Sequence, residues 1–357
     1  MPTESEQEVL PAQEAESKTA LSSPQPYWLN IAQHWPSVEV VGEAYRDDDV
    51  IAVIGRRPKV DEEIELREIA TLVPEPDNPY DKNAISVRIK GRLVGYLSKD
   101  DAKRYKPFVD RIVASGHLPV TNASIWAVLR NGYDGKPRFF SNVRLALSGP
   151  HLLLPLNDPP AAAYSIIPWG NGLQVTGEDK HFDVLKRFVG KHDRELLLVT
   201  LHRGVEAKPR GDRDFAEVRV DGKRVGEMST ATSKHFFPII DHLEGNGLIT
   251  AAWAQLKGSS LTAEVVLQAT KATDVDDDWL NGEPVRIPEL IPLAGTYYVP
   301  PAYSAPQRVA NHKAKARKVS RSPITVSAAP AKSGCAVIVL AAIAAGAIAV
   351  PVISHFI

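Results

Sequence analysis

Val87-Arg88-Ile89-Lys90-Gly91-Arg92-Leu93-Val94-Gly95 reads as a β-hairpin. Apolar residues flank Lys90-Gly91 on both sides, and a glycine at that point reaches the positive φ that a two-residue turn demands. The pattern returns as Val218-Arg219-Val220-Asp221-Gly222-Lys223-Arg224-Val225-Gly226. The match continues beyond the hairpin: Ser229 follows Ser98, Pro238 follows Pro107, Asp241 follows Asp110 and Gly247 follows Gly116. Upstream, Val175-Thr176-Gly177-Glu178 echoes Val40-Val41-Gly42-Glu43, and downstream Trp253-Ala254 echoes Trp126-Ala127. A near-constant spacing over such a length predicts an internal duplication, and therefore one fold used twice.

Strand-like alternation marks Val38–Val41, Ala84–Ile89 and Ile125–Leu129 in the first half. Lys99 to Ala114 has the periodicity of an amphipathic helix, with Pro107 expected to start a new turn inside it. The chain divides into an acidic disordered leader (1–30), a first domain (36–149), a Pro-rich linker (150–172), a second domain (173–272), a Pro/Ala-rich basic tether (285–332) and an apolar segment (335–356). With 357 residues, 44% of them apolar and 24% charged, each half can bury a core of its own. The net charge of −1 hides an asymmetry, since no acidic residue follows Glu289 while Arg308, Lys313, Lys315, Arg317, Lys318, Arg321 and Lys332 do. The rest is thus acidic, which excludes a general basic footprint for nucleic acid and confines any such binding to one pocket. Cys335 is the single cysteine, so neither an intrachain disulfide nor a cysteine-based zinc site can form.

The most specific segment is Pro74-Glu75-Pro76-Asp77-Asn78-Pro79-Tyr80-Asp81-Lys82-Asn83-Ala84-Ile85. Its prolines fix φ, and Asn78 and Asp81 can accept bonds from nearby amides, so the loop holds Tyr80 and Asp81 in set directions. Asn-Pro-Tyr-Asp-x-Asn-Ala-Ile, with Gly42 and Tyr45 upstream and Val94-Gly95-Tyr96-Leu97 downstream, resembles the signature of the HIRAN family over Val38 to Leu147. That resemblance implies a small OB-like barrel that grips the 3′-hydroxyl end of single-stranded DNA. It implies Tyr80 and Tyr45 as stacking aromatics and Asp81 as acceptor for the terminal hydroxyl. Family members that grip DNA carry an arginine just before the upstream tyrosine. Ala44 stands there in this chain, and Arg46 follows instead, beside Asp47, Asp48 and Asp49. A purely structural reading stays open, with Asp81 capping its turn, Asn83 bonding its own loop and Tyr80 plugging the barrel mouth.

The fold expected is therefore mainly β with short helices (α+β): two tandem OB-like, HIRAN-like barrel modules and one C-terminal transmembrane helix. In the second module Pro209-Arg210-Gly211-Asp212-Arg213-Asp214-Phe215 replaces the signature, keeping Asp212 but losing the tyrosine to Gly211. That copy is degenerate, and a protein partner suits it better than a nucleotide. His181, His192, His202, His235 and His242 lack a metal-ligand spacing, so no metal is expected and no cofactor either. Arg210-Gly211-Asp212 is read as a coincidental tripeptide.

Cys335 to Ile357 carries no charge and is long enough to cross a bilayer, where about 20 apolar residues suffice. The basic residues before it place the folded part on the cytoplasmic side of a cell membrane, and the tether and helix against lipid. No Walker A run or other catalytic constellation is present. The function expected is a membrane-anchored, non-enzymatic module for single-stranded DNA 3′ ends, with Tyr45, Arg46, Tyr80 and Asp81 as its nucleic-acid-binding residues. The alternatives are a membrane-anchored interaction scaffold without DNA and, less favoured, a hydrolase.

Overall fold

The computed structural model describes residues 24–29, 31–32, 35–190, 192–209 and 211–304. The first sheet is built from β1 (Pro26–Trp28), β2 (Val38–Val41), β3 (Glu63–Pro74), β4 (Ile85–Ile89), β5 (Arg92–Leu97), β6 (Leu118–Asn131) and β7 (Pro137–Leu145). β6, β3, β4, β5, β2 and β7 follow one another as hydrogen-bonded neighbours, and β7 returns to β6. Six strands thus close into a barrel, which removes every edge except those at its rims. Alternate residues point inward, and Leu72, Val87, Ile89, Val94 and Ile125 meet in its core. The helix α1 (Asp47–Ile54) buries Val50 and Val53, and α2 (Lys99–Ala114) buries Ala102, Tyr105, Val109 and Ile112. The Ser98 hydroxyl caps α2 by accepting from the Asp101 amide at 3.1 Å. Pro107 starts no new turn: α2 runs through it unbroken, since the ring lies on an exposed face where water can serve the backbone it displaces.

The hairpin forms as expected. Lys90 and Gly91 both take positive φ (51° and 76°), as a type I′ turn needs, and Asp221 and Gly222 repeat this at 48° and 72°. The second sheet contains β8 (Tyr164–Ile166), β9 (Gly172–Gln174), β10 (Glu195–Glu206), β11 (Arg213–Val220), β12 (Lys223–Glu227), β13 (Ile249–Gly258) and β14 (Ala263–Gln268). Its order is β12-β11-β10-β13-β14-β9, with β8 parallel to β13 as β1 is parallel to β6. The register repeats as well. Val120 pairs Thr71, which pairs Arg88; Ala251 pairs Thr200, which pairs Arg219. Each hairpin carries a bulge at the same step, between Val87 and Arg88 and between Val218 and Arg219. The helices of this half are α3 (Phe182–Leu185), α4 (Thr230–Ser233), α5 (Phe237–Gly245) and α6 (Asp277–Asn281). Ser229 caps α4, and Pro238 stands in the first turn of α5, where a missing amide costs nothing.

Several boundaries differ from the sequence expectation. Residues 26–29 do not belong to a disordered leader: β1 pairs with the start of β6, and Tyr27 and Leu29 are buried against the barrel. Residues 150–172 are no free linker, since they contain β8, and Asn157 bonds both the amide and the carbonyl of Leu198 on β10. Residues 285–304, expected as the start of a tether, are docked: the Val285 carbonyl accepts from Ile166, and the Ile291 amide donates to Ser115. In each case a short apolar run finds an unpaired strand edge or helix end that can satisfy its backbone. The Trp126/Trp253 echo is not a structural equivalence. Trp253 sits opposite Leu198, and the residue in that register in the first sheet is Asn122, opposite Ile69. Trp253 serves a different cluster, packing with Tyr164, Leu196 and Leu198 where the two halves meet Ile31 and Leu152.

No helix among the described residues is long and apolar enough to cross a membrane. The apolar segment 335–356 and the basic part of the tether lie outside the described residues.

Candidate nucleic-acid interface

The signature loop joins β3 to β4, and its rigidity has a visible cause. The Asn78 side-chain oxygen accepts from the Tyr80 amide at 3.0 Å and from Asp81 at 3.4 Å. Its amide group donates to the Glu75 carboxylate at 2.8 Å. Asp81 accepts from the Asn83 amide at 2.8 Å, closing an Asx turn, and its carbonyl accepts from Ala84. The backbone amide of Asn78 donates to the Glu75 carbonyl. The loop therefore pivots on Glu75, whose side chain is fully buried (0% exposed).

A buried carboxylate needs donors around it. Glu75 receives Asn78 at 2.8 Å and Arg88 at 3.5 Å, and its charge acts on the nearby phenol of Tyr96. Burial first, and then the Glu75 charge, raise the Tyr96 phenol above its ordinary range, which keeps it a hydrogen-bond donor. Tyr96 comes from β5, Arg88 from β4 and Glu75 from the end of β3, so the pocket floor is stitched across three barrel strands.

The side chains above this floor point outward. Tyr80 is 84% exposed and Tyr45 91% exposed, so neither plugs the barrel mouth. Tyr45 ends a 3₁₀ turn that starts at Gly42, whose φ of 85° allows the chain to turn there. Arg46 follows as the cap of that turn and lies close enough to Tyr96 to lower its phenol pKa. Asp47, also crowded by Asp48, has its carboxyl raised chiefly by burial. The structure places Tyr80 and Asp81 on one bonded loop and Tyr45 and Arg46 on the turn before α1.

Sequence reasoning named the loop but missed its support. Glu75, Arg88 and Tyr96 had a signal in the text, since Glu75 sits between two prolines and Tyr96 in Val94-Gly95-Tyr96-Leu97, but only the fold shows that they meet. It missed Asp77 as well. The Asp77 carboxylate accepts from the amides of Ala302 and Tyr303 at 2.9 and 3.0 Å, while Arg88 donates to the Ala302 carbonyl at 2.7 Å. Those amides hold the Asp77 carboxyl below its usual range. The end of the described chain is thereby fastened beside the loop. Among the described residues no group of three His, Cys, Asp or Glu side chains converges as metal ligands would.

The equivalent region of the second half is built otherwise. Gly204 occupies the place of Glu75, and a side chain there would run into the Phe215 ring at 2.5 Å. Phe215 is buried beneath two guanidiniums, Arg213 at 4.7 Å and Arg224 at 5.0 Å. Both arginines are engaged with Glu227, which stands where Tyr96 stood.

Residues 37–125 match the HIRAN domain family, generally a nucleic-acid-binding module. Among solved structures, the HIRAN domain of human HLTF is similar at 23% identity, covering 31% of this chain and 74% of that one with a TM-score of 0.15. No curated protein matches the chain.

Proposed function

We propose that the first barrel binds the 3′-hydroxyl end of single-stranded DNA without catalysing a reaction. The observation that carries this reading is the Glu75–Asn78 support, which fixes an outward tyrosine and a carboxylate side by side on a HIRAN-type loop. Tyr80 and Tyr45 would stack on bases, each stack contributing roughly 1–3 kcal/mol whatever the sequence. Asp81 would accept from the terminal hydroxyl and repel a terminal phosphate, and Arg46 would meet a backbone phosphate.

The second half would be a degenerate copy that has kept the frame and lost the site. The shared strand order, register, bulge and serine caps support duplication; Gly204, Phe215 and Glu227 account for the loss. A protein partner remains the better ligand for that half. The charge-free segment 335–356, with the basic residues before it, would anchor the chain to a cell membrane with the barrels on the cytoplasmic side. Removing 335–357 should then shift the chain from the membrane to the soluble fraction; a full-length chain that stays soluble without detergent refutes the anchor.

The test of the site is a binding titration with short strands ending in a 3′-hydroxyl or a 3′-phosphate. Tyr80→Ala should weaken every end alike, by roughly tenfold to a hundredfold. Asp81→Ala should chiefly erase the hydroxyl preference, a bond of about 1.5–3 kcal/mol. Ala44→Arg should strengthen binding. Wild-type protein without end preference, together with no gain from Ala44→Arg, would leave Asp81 as a turn cap and favour an interaction scaffold.

A further inference from the structure

A cleft of about 890 Å³ lies beside the signature loop, bounded by one face of α2, by residues 293–299 and by the segment around Leu154-Pro155-Leu156. Pro76 lines both this cleft and the hollow of the loop itself, so the two lie on either side of one residue. We infer that this cleft is the track for the body of a single-stranded nucleic acid whose 3′ end sits at the loop. The inference rests on the strand-end reading and adds to it a second, separable contact surface.

The chemistry of the walls carries it. Lys103, Lys106 and Arg111 project into the cleft from α2 at a spacing that keeps them on one face. Lys106 is spent on Asp110 at 3.0 Å, and Arg111 donates through Nε to the Ile291 carbonyl at 2.9 Å, whereas Lys103 stands in no ion pair among the described residues. Glu195, the other acid of the lining, is buried, lies against Gly190 and accepts from the His192 amide. Lys103, and the outer nitrogens of the Arg111 guanidinium, are thus left for phosphates on a wall that is otherwise largely apolar. Flat faces line the cleft as well. Tyr298 is 81% exposed, and His151 and His192 stack on each other at 4.2 Å and 14°, presenting a flat ring pair at the cleft wall. A cation on one wall and rings on the others suit a strand that carries both phosphates and bases, and they make no demand on sequence. The globally acidic body explains why such a track must be local.

The experiment uses the full chain and labelled oligothymidylates of roughly 4, 8 and 12 nucleotides with a 3′-hydroxyl, a range covering the usual site sizes of OB-like folds. Affinity should rise about tenfold or more from the shortest to the longest. Lys103→Glu and Tyr298→Ala change exposed residues, so melting should be unaltered. They should leave the shortest strand's affinity intact and flatten the rise, with Lys103→Glu also making the longest strand less salt-dependent. No gain with length, a gain that survives both substitutions, or no binding of any oligomer would each overturn the track, and an apolar or peptide occupant would then be left for the cleft. End preference is read separately, on the shortest strand: a length gain without it keeps the track and removes the strand-end pocket.

Discussion

The loop between β3 and β4 and the loop between β10 and β11 leave matching positions in the strand register, yet they are braced in different ways. In the first, a buried carboxylate at Glu75 organises Asn78, Arg88 and Tyr96, and the loop above it becomes a fixed platform. In the second, Gly204 and Phe215 fill that space with a ring, and Arg213, Arg224 and Glu227 satisfy one another. A β-sheet frame tolerates the exchange because its stability lies in the buried alternating residues and the strand ladder rather than in the loops. The two halves thus separate what the frame requires from what the loop between its strands can vary.

The frame side of this comparison can be broken most severely at Gly95 and Gly226. A Cβ on Gly95 would come within 2.5 Å of Val40 Cγ1 and 2.8 Å of the Val41 carbonyl; on Gly226 it would meet Val175 Cγ1 at 2.5 Å and the Thr176 carbonyl at 2.7 Å. Alanine at either should destabilise by about 1–3 kcal/mol, measured by urea unfolding. Loss at one glycine alone would show that the halves do not share their closure.

On the site side, Glu75→Gln retains the shape but removes the charge that holds Arg88, Asn78 and Tyr96. We expect a loss of about 1.5–3 kcal/mol in stability and a parallel loss of strand binding. Unchanged binding would mean that Tyr80 and Asp81 do not depend on this floor.

A smaller effect is expected at the caps. Ser98→Ala and Ser229→Ala each remove a hydroxyl that accepts one amide of the first turn, and each should cost about 1 kcal/mol, read as a drop in melting temperature. A cost confined to Ser98 would show that the short α4 contributes little to its half.

The smallest effect separates the halves by pH. His202 on β10 has its pKa lowered, first by burial and then by Arg219. The unfolded chain therefore binds this proton more readily than the folded one. Stability from this group is full above the ordinary histidine value of 6.5 and declines as pH falls below it. Thermal melts between neutral pH and about pH 5.5 should show that decline, and His202→Gln should reduce it. A decline that persists in the variant would assign it elsewhere, for instance to His151, which burial also lowers.

Much of the frame was legible in the residues. Lys90-Gly91 and Asp221-Gly222 announced their turns, because local backbone preference and glycine placement act without the rest of the chain. Asn78 and Asp81 were legible as loop braces for the same reason. The Trp126/Trp253 echo misled, since a dipeptide match carries no register, and register is set by ladders between distant strands. The leader, linker and tether were also misread near Tyr27, Asn157 and Ile291. Composition reports that a segment is polar or Pro-rich, but not that an unpaired edge elsewhere will capture it.

By itself, then, the sequence determined the hairpins, the helix over Lys99–Ala114, the repetition and a loop bearing Tyr80 and Asp81, all of them consequences of local conformational preference and periodic burial. Tertiary structure alone decided that Glu75, Arg88 and Tyr96 meet beneath that loop, that Ala302 and Tyr303 fasten to Asp77, and that a cleft opens along α2. Those contacts join residues far apart in the chain, and burying a charge such as Glu75 is tolerable only when closure of the barrel brings its donors to it.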